Sequence, residues 1–364
     1  MRRHHPSRRD FLKTSVGAAI GAATGPLAAC TRPPGGDVLK NSVVSIARVT
    51  NGKIGRAVEE AIDLLGGIET VARGKGRIML KPNLVAESPT FTTKPEVIRT
   101  LARLMMDSGR EVLVGEGSAA GGGFNVRGEE IYRTRKRDIL DGLQAHVFDQ
   151  LGYTELARSL RIPLVNLHSG EMAEVPTPGG HVFEELTLHQ SLTDIDLLCS
   201  VPMMKTHVLA TVTLAMKNLI GLYPGTRYYS VRSWLHDRAA EKGSPGVSYE
   251  IVDMVRANKT GLAVIDGSSA MEGDGPTDGK LVDMNLIVAG TSPLAADMVA
   301  TALMGMSPDD VPTFTTAHRA GMQPRTLDEI EIRGLKIDQA RRDFARPNLI
   351  SWNSISHFYG AKEL

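Results

Sequence analysis

Cysteine is almost absent: the 364 residues include only Cys30 and Cys199. Two thiols cannot supply the four thiolates of an iron-sulfur cluster, so no such cluster is expected in this chain. Cys199 lies in the apolar run Asp196-Leu-Leu-Cys-Ser-Val-Pro202 and reads as a core thiol. A long hydrophobic run is also lacking. Val16 to Ala29 is short and rich in glycine and alanine, below the roughly 20 apolar residues of a membrane-crossing helix. Neither charge dominates. The formal net charge is +1, and the first 29 residues hold five basic side chains against Asp10 alone, which leaves the remainder at about −3. A mildly acidic body has no general attraction for nucleic acid, so no nucleic-acid partner is expected. The sequence contains no GxxxxGK[ST], no G-x-G-x-x-G, no HExxH and no EF-hand spacing, which removes the usual nucleotide and metal signatures.

What is present is a 42% hydrophobic chain, enough for a large core, preceded by an address. Ser7-Arg8-Arg9-Asp10-Phe11-Leu12-Lys13 has the twin-arginine order, and Leu27-Ala28-Ala29-Cys30 resembles a lipobox in which Cys30 becomes the lipidated first residue. The alternative is a plain cleaved signal with Cys30 incidental. The expected organisation is a signal over 1–29, a lipidated tether over 30–40, an α/β body over 41–345 and an extension over 346–364. The expected partners include the export machinery and a membrane reached through the lipid anchor, with the protein facing the periplasm or cell exterior. Twin-arginine export carries folded proteins, often with a cofactor inserted. Which cofactor this chain would carry is not specified.

Along the body, short apolar runs alternate with amphipathic ones, as in the strand Val43 to Val49 followed by the helix Ile54 to Leu65. Further strands are expected at 78–80, 111–114, 162–167, 197–201, 262–265 and 286–289, and helices at 95–106, 129–143, 209–219, within 228–258 and at 293–304. Val175-Pro-Thr-Pro-Gly-Gly180 opens a hairpin, and a weak domain boundary is placed near 170 to 190. This pattern predicts an α/β fold: a mostly parallel sheet covered by helices, with a small hairpin insertion.

Polar residues gather just after the expected strands, in Lys81-Pro82-Asn83, Gly115-Glu116-Gly117-Ser118, Met203-Met204-Lys205-Thr206-His207 and Asp266-Gly267-Ser268-Ser269. Ligands of open parallel sheets bind at the carboxyl ends of strands, so these loops predict one shared site. Lys81, Asn83, Lys217 and Asn218 are candidate anion ligands, as are Gly115, Gly117 and Ser118 through backbone amides of a glycine-rich turn. Lys205 is placed at a helix start, where a cation is disfavoured unless an anion sits there. Lys205 and His207 are the candidate catalytic pair, His207 moving a proton. Asp266, Glu272 and Asp274 are weak candidates for a metal, against the plainer reading of 271–278 as a solvated acidic turn.

Lys81-Pro82-Asn83-Leu84-Val85, Thr92-Thr93-Lys94-Pro95-Glu96, Pro202-Met203-Met204-Lys205-Thr206-His207, Met216-Lys217-Asn218-Leu219-Ile220-Gly221 and Met271-Glu272-Gly273-Asp274-Gly275-Pro276 together resemble the domain of unknown function 362 family (DUF362), over about residues 75 to 305. The resemblance implies no established reaction. It implies a link to redox chemistry through relatives with ferredoxin-like cysteine clusters, which this chain lacks. The expected function is a membrane-anchored envelope enzyme acting on a small anionic substrate. The alternatives are a non-catalytic lipoprotein that binds an anionic ligand or cofactor, and a structural envelope lipoprotein.

Overall fold

The computed structural model describes residues 42–359 and 362–364, so the expected leader, the tether and Cys30 lie outside the described residues. An eleven-stranded sheet organises the chain: β1 (Ser42–Arg48), β2 (Arg77–Pro82), β3 (Glu111–Glu116), β4 (Leu164–Asn166), β5 (Leu197–Val201), β6 (Met203–His207), β7 (Thr211–Thr213), β8 (Thr260–Glu272), β9 (Lys280–Val282), β10 (Leu286–Gly290) and β11 (Ile330–Gly334). The spatial order is β11-β1-β10-β8-β5-β2-β3-β4, with β6 paired to β7 and β8, and β9 paired to β8. Along this path every pairing is parallel except those made by β10, which runs antiparallel to both β1 and β8. The fold is a mostly parallel, mixed α/β sheet, and Met172–Pro176 with Glu185–His189 forms the small hairpin as a separate two-stranded sheet.

Helices cover both faces because the central strands are apolar on both. On one side Ile78, Leu80, Val112, Val114, Cys199 and Val264 pack with the buried stripes of α1 (Ile54–Leu64), α2 (Pro95–Asp107), α3 (Arg137–Gln150) and α4 (Tyr153–Leu160). On the other, Met79, Leu113, Leu198, Ile265 and Val288 meet α5 (Ala215–Asn218), α6 (Ser233–Glu241), α7 (Ser248–Ala257), α8 (Pro293–Leu303) and α9 (Pro312–Arg319). Alternate residues of one strand serve opposite cores, so a one-residue slip in register would exchange both sets. The described residues form one compact unit, and 170–190 is not a domain boundary. Among them no helix is long and apolar enough to cross a membrane.

Three expectations are corrected. Residues 209–219 are not one helix: Thr211 takes a positive φ of 68°, Thr211–Thr213 pairs back on β6, and only Ala215–Asn218 is α-helical, followed by a 3-10 turn over Leu219–Leu222. Lys205 therefore lies inside a strand, and the helix-dipole reason for treating it as an anion anchor does not apply. The helix expected over 129–143 runs from Arg137 to Gln150, after a small hairpin at 126–131.

Candidate functional site

Parallel pairing brings the ends of β2 and β3 together, and two buried side chains meet there. Lys81 Nζ donates to Glu116 Oε1 at 2.7 Å, to Asn218 Oδ1 at 3.1 Å and to the Pro82 carbonyl at 2.9 Å. Glu116 also accepts from the Leu84 and Gly117 amides, each at 2.8 Å. Asn218 returns its amide to the Lys81 carbonyl and Ser200 Oγ. Burial pulls the Lys81 ammonium below the usual lysine range, and the attraction of Glu116 opposes this. Lys81 and Asn218 thus form a closed network with Glu116, a residue the sequence reading quoted but gave no role. A Cβ on Gly221 would stand 2.4 Å from Glu116 Oε1, so the pair needs glycine beside it.

The glycine-rich turn offers no anion cradle. Its successive amides from Gly117 to Gly123 are taken by Glu116 Oε1, Gln144 Oε1, the Val85 carbonyl twice, Asn125 Oδ1, Glu87 Oε1 and the Val126 carbonyl. Gly115 is inside β3, where a Cβ would press on Met79 Sδ at 2.7 Å, so it serves packing. This corrects the expected backbone-amide role of Gly115, Gly117 and Ser118. The Ser118 hydroxyl and Asn83 Oδ1 are nonetheless buried without a hydrogen-bond partner.

A second assembly lies around β6 and α5. Lys205 is fully buried and donates to the Phe91 carbonyl at 2.7 Å and the Pro276 carbonyl at 3.4 Å, with no carboxylate bonded to it. Burial, then repulsion from Lys217, lowers it to about 7. Lys217 is partly buried and has no hydrogen-bond or ion-pair partner among the described residues. Burial brings it down to about 8; Glu250 attracts it, while Arg232 and Lys81 repel it. His207 is held well below the ordinary imidazole range by burial and then by Lys217, Lys205 and His236. Its Nδ1 accepts from the Leu209 amide at 3.0 Å, so the neutral ring carries its proton on Nε2.

Arg232, absent from the sequence reading, is buried beside this group. It donates to the Ser230, Gly117 and Gly221 carbonyls, and its Nε has no partner. Glu250, the buried carboxylate that attracts Lys217, is already bonded to His236 Nδ1 at 2.7 Å. The cations therefore outnumber their counter-charges, and each of Lys205 and Lys217 releases its proton more readily than a solvated lysine.

Asp297 shapes the assembly from below. From within α8 it accepts the Ala215 amide at 2.7 Å and the Met216 amide at 2.8 Å, capping α5 and fixing the turn that carries Lys217. Burial raises its carboxyl to about 8 against those two bonds.

The metal candidates are not brought together, and among the described residues no group of three or more His, Cys, Asp or Glu side chains is placed to hold a metal ion. Asp266 accepts the Lys94 amide and the Ser268 amide and hydroxyl. Glu272 accepts the Ala345 amide, and Asp274 accepts the Asn348 amide and side chain. The last two clamp the C-terminal segment, whose Ile350 amide bonds the Val208 carbonyl next to His207. Cys199 is buried in the core, and burial pushes its thiol up.

An α/β sheet with a lysine-rich strand-end interior is the class the structure defines. The chain belongs to the family described as Domain of unknown function (DUF362), which it matches over residues 78–302. It is 26% identical over 322 residues to a thylakoid-associated protein of Synechocystis sp., spanning 85% of this chain and 91% of that protein. Solved structures similar to it include the lactate racemase apoprotein of Thermoanaerobacterium thermosaccharolyticum (TM-score 0.39, 14% identity, 73% of this chain and 58% of that one). A protein from Thermotoga maritima is similar at TM-score 0.38 and 14% identity, over 68% of this chain and 58% of that one. The chain spans less than two thirds of either structure, and no chemistry is carried over from them.

Proposed function

We propose that this chain is an exported, lipid-anchored enzyme that holds a small anion against Lys217 and Lys205 and moves a proton on it. One observation carries the reading: Lys217 has no bonded partner, Arg232 and Lys81 repel it, and Glu250, the carboxylate that attracts it, is already bonded to His236, a costly arrangement that an arriving anion relieves. Lys205, at about 7, is divided between its two forms at neutral pH. As a free amine it still serves the Phe91 carbonyl and has a lone pair to accept a proton. Neutral His207 presents Nε2–H as a donor, so the base role passes to Lys205. A base tuned to neutral pH favours an enzyme over the alternative, a non-catalytic binding lipoprotein, which needs cations only. Export and anchoring rest on the twin-arginine order and Cys30, and the name of the thylakoid-associated relative is in keeping with attachment to a membrane.

The test is calorimetric titration with small carboxylates and inorganic phosphate, paired with NMR detection of solvent deuterium entering the bound compound. The expected result is binding that Lys217→Gln weakens about tenfold or more, and exchange that Lys205→Gln abolishes while binding persists. If no anion binds, or Lys217→Gln leaves affinity unchanged, the anion site is wrong. Binding without exchange or conversion replaces the enzyme with the binding lipoprotein.

A further inference from the structure

A cavity of about 430 Å³ opens at the end of β1, beside Asp266 and Met203 and beneath the turn that carries Pro89 and Thr90. None of Lys205, His207 and Lys217 lines it. Its walls are of mixed character. Lys94 Nζ donates to Ser268 Oγ at 2.9 Å, Ser268 passes its hydroxyl proton toward Asp266, and the Lys94 charge is met locally by the Asp266 carboxylate. On the same cavity, Ser269, Asp283 and Asn285 have side chains without a hydrogen-bond partner among the described residues. The uncompensated charge of the lining is therefore the carboxylate of Asp283, which repels small anions. Val49, Ile54 and Met203 add an apolar stretch, and Leu281 stands at the lip with 44% of its surface exposed, one of two large hydrophobic side chains left so open among the described residues.

We propose that this cavity is a second binding site, distinct from the lysine assembly, for a neutral saccharide. The size admits one or two sugar rings, since ligand pockets begin at about 300 Å³. Hydroxyl groups both donate and accept, so one ring can accept from Lys94 and donate to Asp283 and Asn285, whereas a carboxylate can only accept. The carbon-bound hydrogens of a sugar's less polar face match Leu281 and Met203. No aromatic side chain lines the cavity, so it has no surface on which a nucleobase would stack. The ligand could be a free sugar or the end of a glycan chain, and the two share this chemistry.

The experiment is saturation-transfer NMR followed by calorimetry on the purified chain, with neutral monosaccharides, their methyl glycosides and linear oligosaccharides, and with nucleosides and small carboxylates as comparison ligands. The expected result is saturable binding of a neutral saccharide. Asp283→Ala and Lys94→Met should each weaken it about tenfold or more, and Lys217→Gln should leave it unchanged. Binding of monosaccharides assigns the site to free sugars, and binding of oligosaccharides alone assigns it to glycan ends. No saturable saccharide binding overturns the proposal, as does binding that survives both cavity substitutions, or a preference for nucleosides or carboxylates. Asp283 is exposed and makes no internal bond, so its variant tests binding without disturbing the fold.

Discussion

Lys81 and Glu116 face one another at 2.7 Å with 1% and 2% of their side chains exposed, an ion pair shut inside the protein where β2 and β3 end. A buried pair is close to neutral for stability while intact and costly when halved, because the survivor keeps its desolvation penalty. Lys81→Ala and Glu116→Ala should each cost about 3–5 kcal/mol in urea unfolding. The double variant Lys81→Ala/Glu116→Ala should cost clearly less than the two single losses combined, since removing both partners leaves no unpaired charge in the interior. Strict additivity would mean the pair is not coupled.

Asp297 holds α5 through two amides, so its loss strands both in the interior. Asp297→Ala should destabilise by about 2–4 kcal/mol and weaken anion binding, because Lys217 rides on that turn. Thermal melts with calorimetry on the folded variant check both halves. Full affinity in a destabilised variant would detach the cap from the site.

The lysine assembly fixes the sign of two pH effects. Lys205 and Lys217 lose protons at about 7 and 8 when folded, and near 10.4 when unfolded. Across that window the unfolded chain binds more protons, so these groups make stability rise with pH. Asp297, raised to about 8, acts in the opposite direction: its contribution fades as pH climbs to that value. Wild type is therefore compared with Lys205→Met, which keeps Asp297. Wild type should gain stability relative to the variant between pH 7 and 10, followed by urea unfolding. Anion affinity should fall over the same range, because the ligand needs the Lys217 ammonium, which gives up its proton at about 8. A flat stability difference would place Lys205 at an ordinary value.

The strands and helices that carry the sheet were legible because their periodicities are clean: Leu197–Val201 is a continuous apolar run and Ile54–Leu64 an amphipathic one. Strand direction was not legible. Leu286–Gly290 reads like its neighbours yet runs antiparallel, since hydrophobicity is blind to polarity of the chain. The Thr211–Thr213 strand was hidden in an apolar stretch of helical length, and a non-glycine residue at positive φ gives no warning in sequence. At the site, the convergence of cations was visible but their partners were not. Glu116 looked like one residue of a turn, and Arg232 and Asp297 are brought in from distant segments by packing alone. Glu272 and Asp274 read as free carboxylates because the chain that satisfies them lies about seventy residues further on.

The central claim is that two lysines in this interior are poised to give up their protons and to take them back when an anion arrives. It is tested most directly by labelling the lysine ε-carbons with ¹³C and following each resonance by NMR from pH 5 to 11, with and without inorganic phosphate or a small carboxylate. The account predicts two resonances that titrate near 7 and 8, one of them missing in Lys205→Met and the other in Lys217→Gln, and both moving to higher pH when the anion binds. Lysine resonances that all titrate together in the ordinary range near 10.4, unmoved by any anion, would contradict it.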